Sequence, residues 1–359
     1  MDKKRIITIV VAVIIVATLG TGVFFAVRYL TREGAPEIVL TEDFEKDEIF
    51  RINTLGCKLS EARVYMRASE DKYSNAFGSE IWSKDLGGVT LEDELKSTTL
   101  ARLAQIKAMT LLAEDRAVLL SDEEKELAKK AADKYISGLS AETKSALQID
   151  EAVIEKMYSE YALANKVYID VTKDINPEIS DDEARTISVK HILIKTNTTD
   201  ADGNTREFTD AEKQSAYKRA EEVLQKIAGG ADFDSMIEKY SEDSENQYTF
   251  GKGTMPENFE KAAFNLDSDE VSGIVETEYG YHIIKCVSTF DREETDNNKT
   301  RIVIQRKKEA FNKVYDEFVK TLHTNLNDEL WENAEFAASD NTDASTFFDI
   351  YNEVFAKSE

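Results

Sequence analysis

Residues 189–195 read VKHILIK and residues 280–285 read GYHIIK, and these two stretches shape the middle of the chain. Both are rich in β-branched and apolar residues, as strands are. Each contains one of the chain's three histidines, and these two, His191 and His282, lie 91 positions apart. The repeat predicts two neighbouring strands that bring two imidazole rings to one face of a sheet.

The composition describes a large and acidic chain. Its 359 residues and 42% hydrophobic content suffice for two or three packed units. With 70 acidic and 45 basic residues the formal net charge is −25, and a surface this acidic repels phosphate backbones. Nucleic acid is therefore not expected as a partner. Only 3 prolines and 15 glycines favour a helix-rich protein without long linkers.

The N-terminus predicts a membrane anchor. No charged residue interrupts the run from Ile6 to Val27, which as a helix spans about 33 Å, close to the ~30 Å hydrocarbon core of a bilayer. Lys3, Lys4 and Arg5 precede the run, so the positive-inside rule places the N-terminus in the cytoplasm and the bulk of the chain outside. Residues 1–30 are thus a basic end and a transmembrane helix, with a cleaved signal peptide as the alternative.

Helices are predicted on both sides of the middle segment. Residues 31–184 form a helical module, in which Ser121 and Glu124 have the spacing of a capping box. Residues 291–335 hold a helix whose apolar residues recur at intervals of three or four: Phe311, Tyr315, Phe318 and Leu322. An isolated helix is marginal in water, so we expect this stripe to pack on the 31–184 module.

The last residues, 336–359, form an acidic tail in which a short helix is predicted around Phe347, Tyr351 and Phe355. The only two cysteines, Cys57 and Cys286, fall in different predicted domains. We therefore expect two buried or free thiols and no disulfide between them.

Residues 185–290 have a different pattern from their flanks. After the first histidine strand, TDAE at 209–212 caps a helix that Gly229-Gly230 ends. Two shorter helices and then two strands follow, DFDSMIEKYS and PENFEKAAFNL before VSGIVETE and YGYHIIKCV. This order of elements, β-α-α-α-β-β, indicates a separate α+β domain.

The order of these motifs resembles one family. KHILIK, YSEDS, FGKGTMPENFEKAAFNL and VSGIVETEYGYHIIK follow one another over roughly 187–290 as in the parvulin family of peptidyl-prolyl cis-trans isomerases. The flanking helices and the anchor extend the resemblance to extracytoplasmic foldases of the PrsA and SurA type. It implies a parvulin-like domain, a small antiparallel sheet with flanking helices, inserted in an all-helical chaperone module behind an N-terminal transmembrane helix.

The resemblance also implies a site. The paired active-site histidines of the family match His191 and His282, and the position that is cysteine or aspartate matches Asp243. Tyr279 matches the Ser-or-aromatic position before the glycine that leads to the second histidine, and these four are the predicted catalytic residues. The apolar wall of the proline pocket matches three residues: Phe250, Met255 and Phe259.

Rotation about an Xaa-Pro bond suits such a site without a metal or a cofactor. Resonance sets a barrier of ~18–20 kcal/mol, while the two isomers differ by only ~0.5–1 kcal/mol, so a catalyst needs only to lower the barrier. A neutral imidazole can donate one hydrogen bond and accept another, and an apolar pocket can hold the proline ring. The implied partners are unfolded or newly exported polypeptides with Xaa-Pro bonds.

Alternatives remain for the same residues. The two histidines could be a satisfied core pair or half of a metal site, although no third ligand stands at a characteristic spacing. Most parvulins have a G-G-x-L-G segment where this chain has the shorter SENQYTFGKG at 244–253. That departure leaves open a second function, a catalytically inactive parvulin-fold chaperone that only binds unfolded polypeptide. The sequence leaves the oligomeric state open, a homodimer included.

Overall fold

A computed structural model of the chain describes residues 44–85, 88–199, 205–334 and 345–355. The chain divides into two compact units, one of Met1–Lys173 with Ala310–Glu359 and one of Asp174–Glu309. The predicted transmembrane run at 6–27 lies outside the described residues. Across the ranges given above, no helix has both the length and the apolar character needed to cross a membrane.

In the described part of the first unit, a β-hairpin comes first and the α-helices α1 to α5 follow it. These elements are β1 (Glu48–Ile52), β2 (Leu55–Lys58), α1 (Leu59–Phe77), α2 (Leu91–Asp115), α3 (Asp122–Ser137), α4 (Ala141–Leu147) and α5 (Glu151–Thr172). Polar side chains cap the helix starts, because the first backbone amides of a helix have no partner within it. The predicted capping box of Ser121 and Glu124 is confirmed at the start of α3.

The second unit contains the two histidine strands. Its elements are α6 (Asp181–Ala184), β3 (Thr186–Lys195), β4 (Asn197–Thr199), β5 (Thr205–Glu207), α7 (Asp210–Ala228), α8 (Phe233–Tyr240), β6 (Gln247–Gly251), α9 (Glu257–Phe264), β7 (Val271–Thr277), β8 (Gly280–Ser288) and the start of α10 (Arg292–Val319). Four strands form one antiparallel sheet in the order β6-β3-β8-β7. The predicted β-α-α-α-β-β outline omitted β6, and the structure corrects it. Partly buried Tyr248 and buried Phe250 alternate with exposed Gln247 and Thr249, which is the period-two pattern of a strand.

The chain ends in the first unit with β9 (Thr324–Leu326), α11 (Asp328–Glu332) and α12 (Phe347–Phe355). Strand β9 completes a three-stranded antiparallel sheet in the order β2-β1-β9. The prediction of an all-helical module was therefore wrong. Asn53 adopts φ 48° in the β1–β2 turn, a conformation that asparagine tolerates, and the third strand comes from a distant part of the chain.

Helix α12 confirms the short helix predicted near the C-terminus, and it belongs to the core of the first unit. Phe347 is fully buried and stacks on Tyr158, with ring centroids 4.1 Å apart. The Tyr158 hydroxyl donates to the carbonyl oxygen of Phe347 at 3.0 Å. Residues 347–355 are therefore a structural part of the unit, whereas 335–344 and 356–359 lie outside the described residues.

Both cysteines are buried and unpaired, as the sequence predicts. Cys57 lies on β2 in the first unit, and Cys286 lies on β8 in the second. Burial raises the pKa of the Cys57 thiol well above its ordinary value, and burial also raises the pKa of Cys286. Both side chains are thus held as thiols, which react slowly.

The two faces of the four-stranded sheet explain why the histidines meet. Alternate residues of a strand point to opposite faces. On one face Ile192 and Ile283 pack with apolar residues of α7 and α8. On the other, Val189 and Ile284 pack with residues of α9. In the register of β3 and β8, His191 lies opposite Ile284 and Leu193 lies opposite His282, so both histidines share the α9 face.

Gly280, the first residue of β8, lies close to the neighbouring strand β3. It has φ +146°, and an added Cβ would lie 2.2 Å from the carbonyl oxygen of Ile194 on β3. We expect Gly280→Ala to destabilise the second unit by about 1–3 kcal/mol and to disturb the strand that contains His282. Faster amide exchange of strand β3, measured by mass spectrometry, would show it. Gly273→Ala is the matched control, since no atom lies within 4 Å of its Cβ position, and unchanged exchange in Gly280→Ala would contradict the prediction.

Candidate active site

The two imidazoles lie in direct contact on the central strands. His191 Nδ1 and His282 Nδ1 are 3.2 Å apart, and the rings are nearly parallel with centroids 5.3 Å apart. His191 is 1% exposed and His282 5%. Rings this deeply covered have almost no surface for a client to touch, so they can act on one only through neighbouring groups.

The hydrogen-bond partners fix the tautomer of each ring. His191 Nε2 faces two acceptors, the Glu245 carbonyl at 3.1 Å and Asp243 Oδ2 at 3.3 Å, so Nε2 carries the proton. His191 Nδ1 must then accept from His282 Nδ1–H. His282 Nε2 is left to accept from the Thr277 hydroxyl, whose oxygen lies at 2.8 Å.

All of these bonds therefore run in one direction, from Thr277 through both neutral rings to Asp243. The backbone amide of Tyr279 donates to Thr277 Oγ1 at 3.2 Å and begins the series. Every nitrogen of the two rings has a partner, as buried polar groups require. The arrangement fixes both ends of the network, Thr277 and Asp243, and each of these side chains is partly exposed.

The environment disfavours protonation of either ring. Burial and the neighbouring His191 together lower the pKa of His282 to about 4, while Asp243 acts in the opposite direction. Burial also lowers the pKa of His191, although the Glu245 carbonyl and Asp243 act the other way. Both imidazoles are therefore neutral near pH 7, which agrees with the tautomers.

The segment 241–246 holds Asp243 beside His191. Its backbone runs along β3, where Glu242 N–H donates to the Leu193 carbonyl at 2.8 Å and His191 N–H donates to the Asn246 carbonyl at 2.9 Å. Strand β6 then continues the same pairing with β3. The shortened stretch SENQYTFGKG is thus an ordered edge of the sheet.

An apolar cluster adjoins the histidines. The Phe259 ring meets both imidazoles edge-on, with centroids 5.5 Å from His191 and 5.1 Å from His282. Phe250 lies 6.0 Å from Phe259, and partly buried Met255 packs against the same cluster. The three residues predicted for the proline pocket therefore lie together on the histidine face of the sheet.

The Tyr279 side chain lies apart from the histidines, Asp243 and the apolar cluster. Tyr279 sits in the turn between β7 and β8 with 53% of its surface exposed, and its backbone alone enters the hydrogen-bond series. Two residues that the sequence did not suggest are in the group instead. Thr277 bonds His282, and Tyr248 donates from its hydroxyl to Asp243 Oδ2 at 3.2 Å. Thr277 lies within VSGIVETEYGYHIIK, five positions before His282, and Tyr248 lies within SENQYTFGKG, but the family resemblance gives neither of them a role.

Comparison with known proteins relates this site to a family. Residues 191–288 match the family model of the PPIC-type PPIase domain. Over 265 residues the chain is 27% identical to the foldase protein PrsA of Caldanaerobacter subterraneus subsp. tengcongensis, covering 68% of this chain and 74% of that protein. The domain match and this relative support a parvulin-type, PrsA-like foldase, that is, a peptidyl-prolyl cis-trans isomerase and folding chaperone.

Other proteins are similar to this PrsA-like foldase along most of its length. Foldase protein PrsA 3 of Bacillus anthracis is 27% identical over 281 residues, which cover 74% of this chain and 89% of that protein. The crystal structure of PrsA from Bacillus cereus is 21% identical, covers 75% of this chain and 96% of that one, and has a TM-score of 0.34. The region of the family match contains both histidines, Asp243 and the apolar cluster.

Proposed function

We propose that this PrsA-like foldase isomerises Xaa-Pro bonds with Asp243 and the apolar residues Phe250, Met255 and Phe259 in contact with the client. The observation that supports the proposal is the continuous series of hydrogen bonds that ends on Asp243 beside the apolar cluster. His191 and His282 act as positioning residues, because both are buried. Tyr279 contributes its backbone amide to the series, and its exposed ring is free to meet the client chain.

The chemistry needs only a lowered rotational barrier. As the Xaa-Pro bond twists, resonance is lost, the proline nitrogen becomes more basic and the carbonyl less dipolar. The apolar cluster removes the proline ring from water and holds it, while the polar groups face the carbonyl side of the bond. Because Asp243 and Thr277 are already fixed by neutral imidazoles, little reorganisation is required when the transition state forms.

The rest of the chain supports two further parts of the proposal, a chaperone activity and a location at the membrane. The proposed division is a helical chaperone module at 31–184, the isomerase domain at 185–290 and a helix at 291–335 that packs on the module. In the first unit, Phe311 and Val319 of α10 lie in apolar clusters with residues of the N-terminal helices, which agrees with that division. The uncharged run at 6–27 supports a single-pass anchor with the bulk of the chain at the outer face of the membrane, where newly exported polypeptides are the clients.

A protease-coupled assay on a chromogenic Xaa-Pro peptide tests the isomerase site. The purified chain should accelerate isomerisation, and His282→Ala should lower kcat/KM by about 10- to 100-fold, because the loss of hydrogen bonds next to a charged group amounts to ~1.5–3 kcal/mol. His323→Ala is the matched control, since His323 is exposed and lies in the other unit. Circular dichroism would verify that both variants are folded.

Two results would contradict the proposal in different ways. No acceleration by the wild-type chain would favour the inactive chaperone that only binds unfolded polypeptide. Full activity in His282→Ala would leave the histidines as a structural pair. Suppression of the aggregation of an unfolded client measures the chaperone activity separately.

A further inference from the structure

Tyr248 lies in the stretch where this sequence departs from most parvulins. We infer that Tyr248 is a positioning residue that fixes the Asp243 carboxylate against His191 and so sets the rate of isomerisation. The inference rests on the proposed role of Asp243. It concerns a residue on β6, the strand that the sequence did not predict.

The Asp243 carboxylate is held on both oxygens. Oδ2 receives the Tyr248 hydroxyl at 3.2 Å and faces His191 Nε2 at 3.3 Å. Oδ1 receives the backbone amide of Glu245 at 3.4 Å. The Asp243 side chain is 25% exposed, so water competes for it. A donor from a side chain fixed on the sheet limits that competition and the rotation of the carboxylate.

The Tyr248 ring is well placed to act as such a fixed donor. Tyr248 pairs with Val189 in the β3–β6 register, so its backbone cannot move without breaking the sheet. Its ring lies 5.2 Å from the His191 ring, and it packs on the cluster that contains Phe259. Burial and the charge of Asp243 raise the pKa of Tyr248, so the hydroxyl keeps its proton at neutral pH.

The hydroxyl, more than the ring, should therefore matter for activity. Tyr248→Phe keeps the packing on His191 and removes one of the donors to Oδ2. We expect kcat/KM in the Xaa-Pro assay to fall roughly 10-fold, as for other hydrogen bonds to a charged acceptor. The fall should lie in kcat with KM little changed, because Tyr248 acts through the Asp243 carboxylate and does not itself bind the client. A loss of packing alone would not be confined to kcat.

A double-mutant cycle on the full chain tests the inference. In the Asp243→Asn background, Tyr248→Phe should cause no further fall in kcat/KM. Tyr217→Phe is the matched control, since the partly exposed Tyr217 packs on Tyr281 and lies away from the histidines. Its kcat and KM should equal those of the wild type.

Three results would overturn the inference. The first is a wild-type kcat and KM in Tyr248→Phe. The second is the same roughly 10-fold fall in both backgrounds, which would mean that Tyr248 acts independently of Asp243. The third is a wild-type chain without isomerase activity. The proposed function then fails, and the inference about Tyr248 fails with it.

Discussion

Replacing Lys107 with methionine is expected to lower the free energy of unfolding of the helical unit by about 3–5 kcal/mol. Lys107 lies on α2 and is fully buried. Its Nζ is 2.6 Å from Glu61 Oε2 on α1 and 2.6 Å from Glu160 Oε2 on α5. One ammonium group therefore joins three helices at their buried faces.

The cost arises from the charges that remain. Burial alone would lower the pKa of Lys107, but Glu61 and Glu160 outweigh burial and hold that pKa above its ordinary value. Burial and the charge of Glu61 raise the pKa of Glu160 even with Lys107 present. Without Lys107, two buried carboxylates face each other across the same position. A half-exposed cation, Lys156, then remains beside them, at 3.5 Å from Glu61 and 3.7 Å from Glu160.

The chain offers a selective probe and a matched control for this test. Both tryptophans, Trp82 and Trp331, are buried in the first unit, so their fluorescence during urea unfolding reports that unit alone. Lys156→Met removes a cation from the same glutamates. It should cost less than about 1 kcal/mol, because Lys156 is 47% exposed.

A triple variant separates the unpaired charges from lost packing. Adding Glu61→Gln and Glu160→Gln to Lys107→Met removes the buried charges and should restore part of the lost stability. If the triple variant is less stable than Lys107→Met, or if Lys107→Met and Lys156→Met cost the same, then repulsion between the carboxylates is not the cause.

The sequence could not have predicted this triad. Lys107 is 46 residues from Glu61 and 53 from Glu160, and each residue by itself resembles an ordinary exposed helix position. The first-unit sheet was missed for a similar reason, since β9 pairs with β1 across most of the chain. Local patterns such as the capping box at Ser121 were visible, because both partners lie within one turn of helix.

In the candidate site, too, some contacts could be predicted from the sequence and others could not. Two matched strands and the period of two were enough to place His191 and His282 on one face, where the structure has them 3.2 Å apart. Thr277 and Tyr248 could not be predicted, because their place in the network depends on hydroxyl positions set by the β7–β8 hairpin and by β6. Side-chain networks of this kind follow from register, which a single sequence specifies only indirectly.

Lowering the pH from 6.5 towards 4 should destabilise the second unit by up to about 3 kcal/mol through His282. The unfolded histidine takes up a proton near pH 6.5, whereas burial and His191 hold the pKa of folded His282 at about 4. Between these values the unfolded chain binds more protons, so stability is complete above pH 6.5 and declines as the pH falls. A proton on His191 would make its Nδ1 a donor towards His282 Nδ1–H, and a proton on His282 would make its Nε2 a donor towards the Thr277 hydroxyl. Either proton therefore opposes the one-directional hydrogen bonds.

Amide exchange of the peptide that covers Thr186–Lys195, measured from pH 7 to 4.5 and corrected for the intrinsic rate, would follow this unit alone. In His282→Asn the stability at pH 7 should be lower but its decline between pH 6.5 and 4.5 smaller, since one titrating ring is gone. His323→Asn should keep the wild-type slope, because His323 lies in the other unit and the chain has only three histidines. Equal slopes in His282→Asn and the wild type would assign the pH dependence to carboxylates, and the buried neutral pair would then have no part in it.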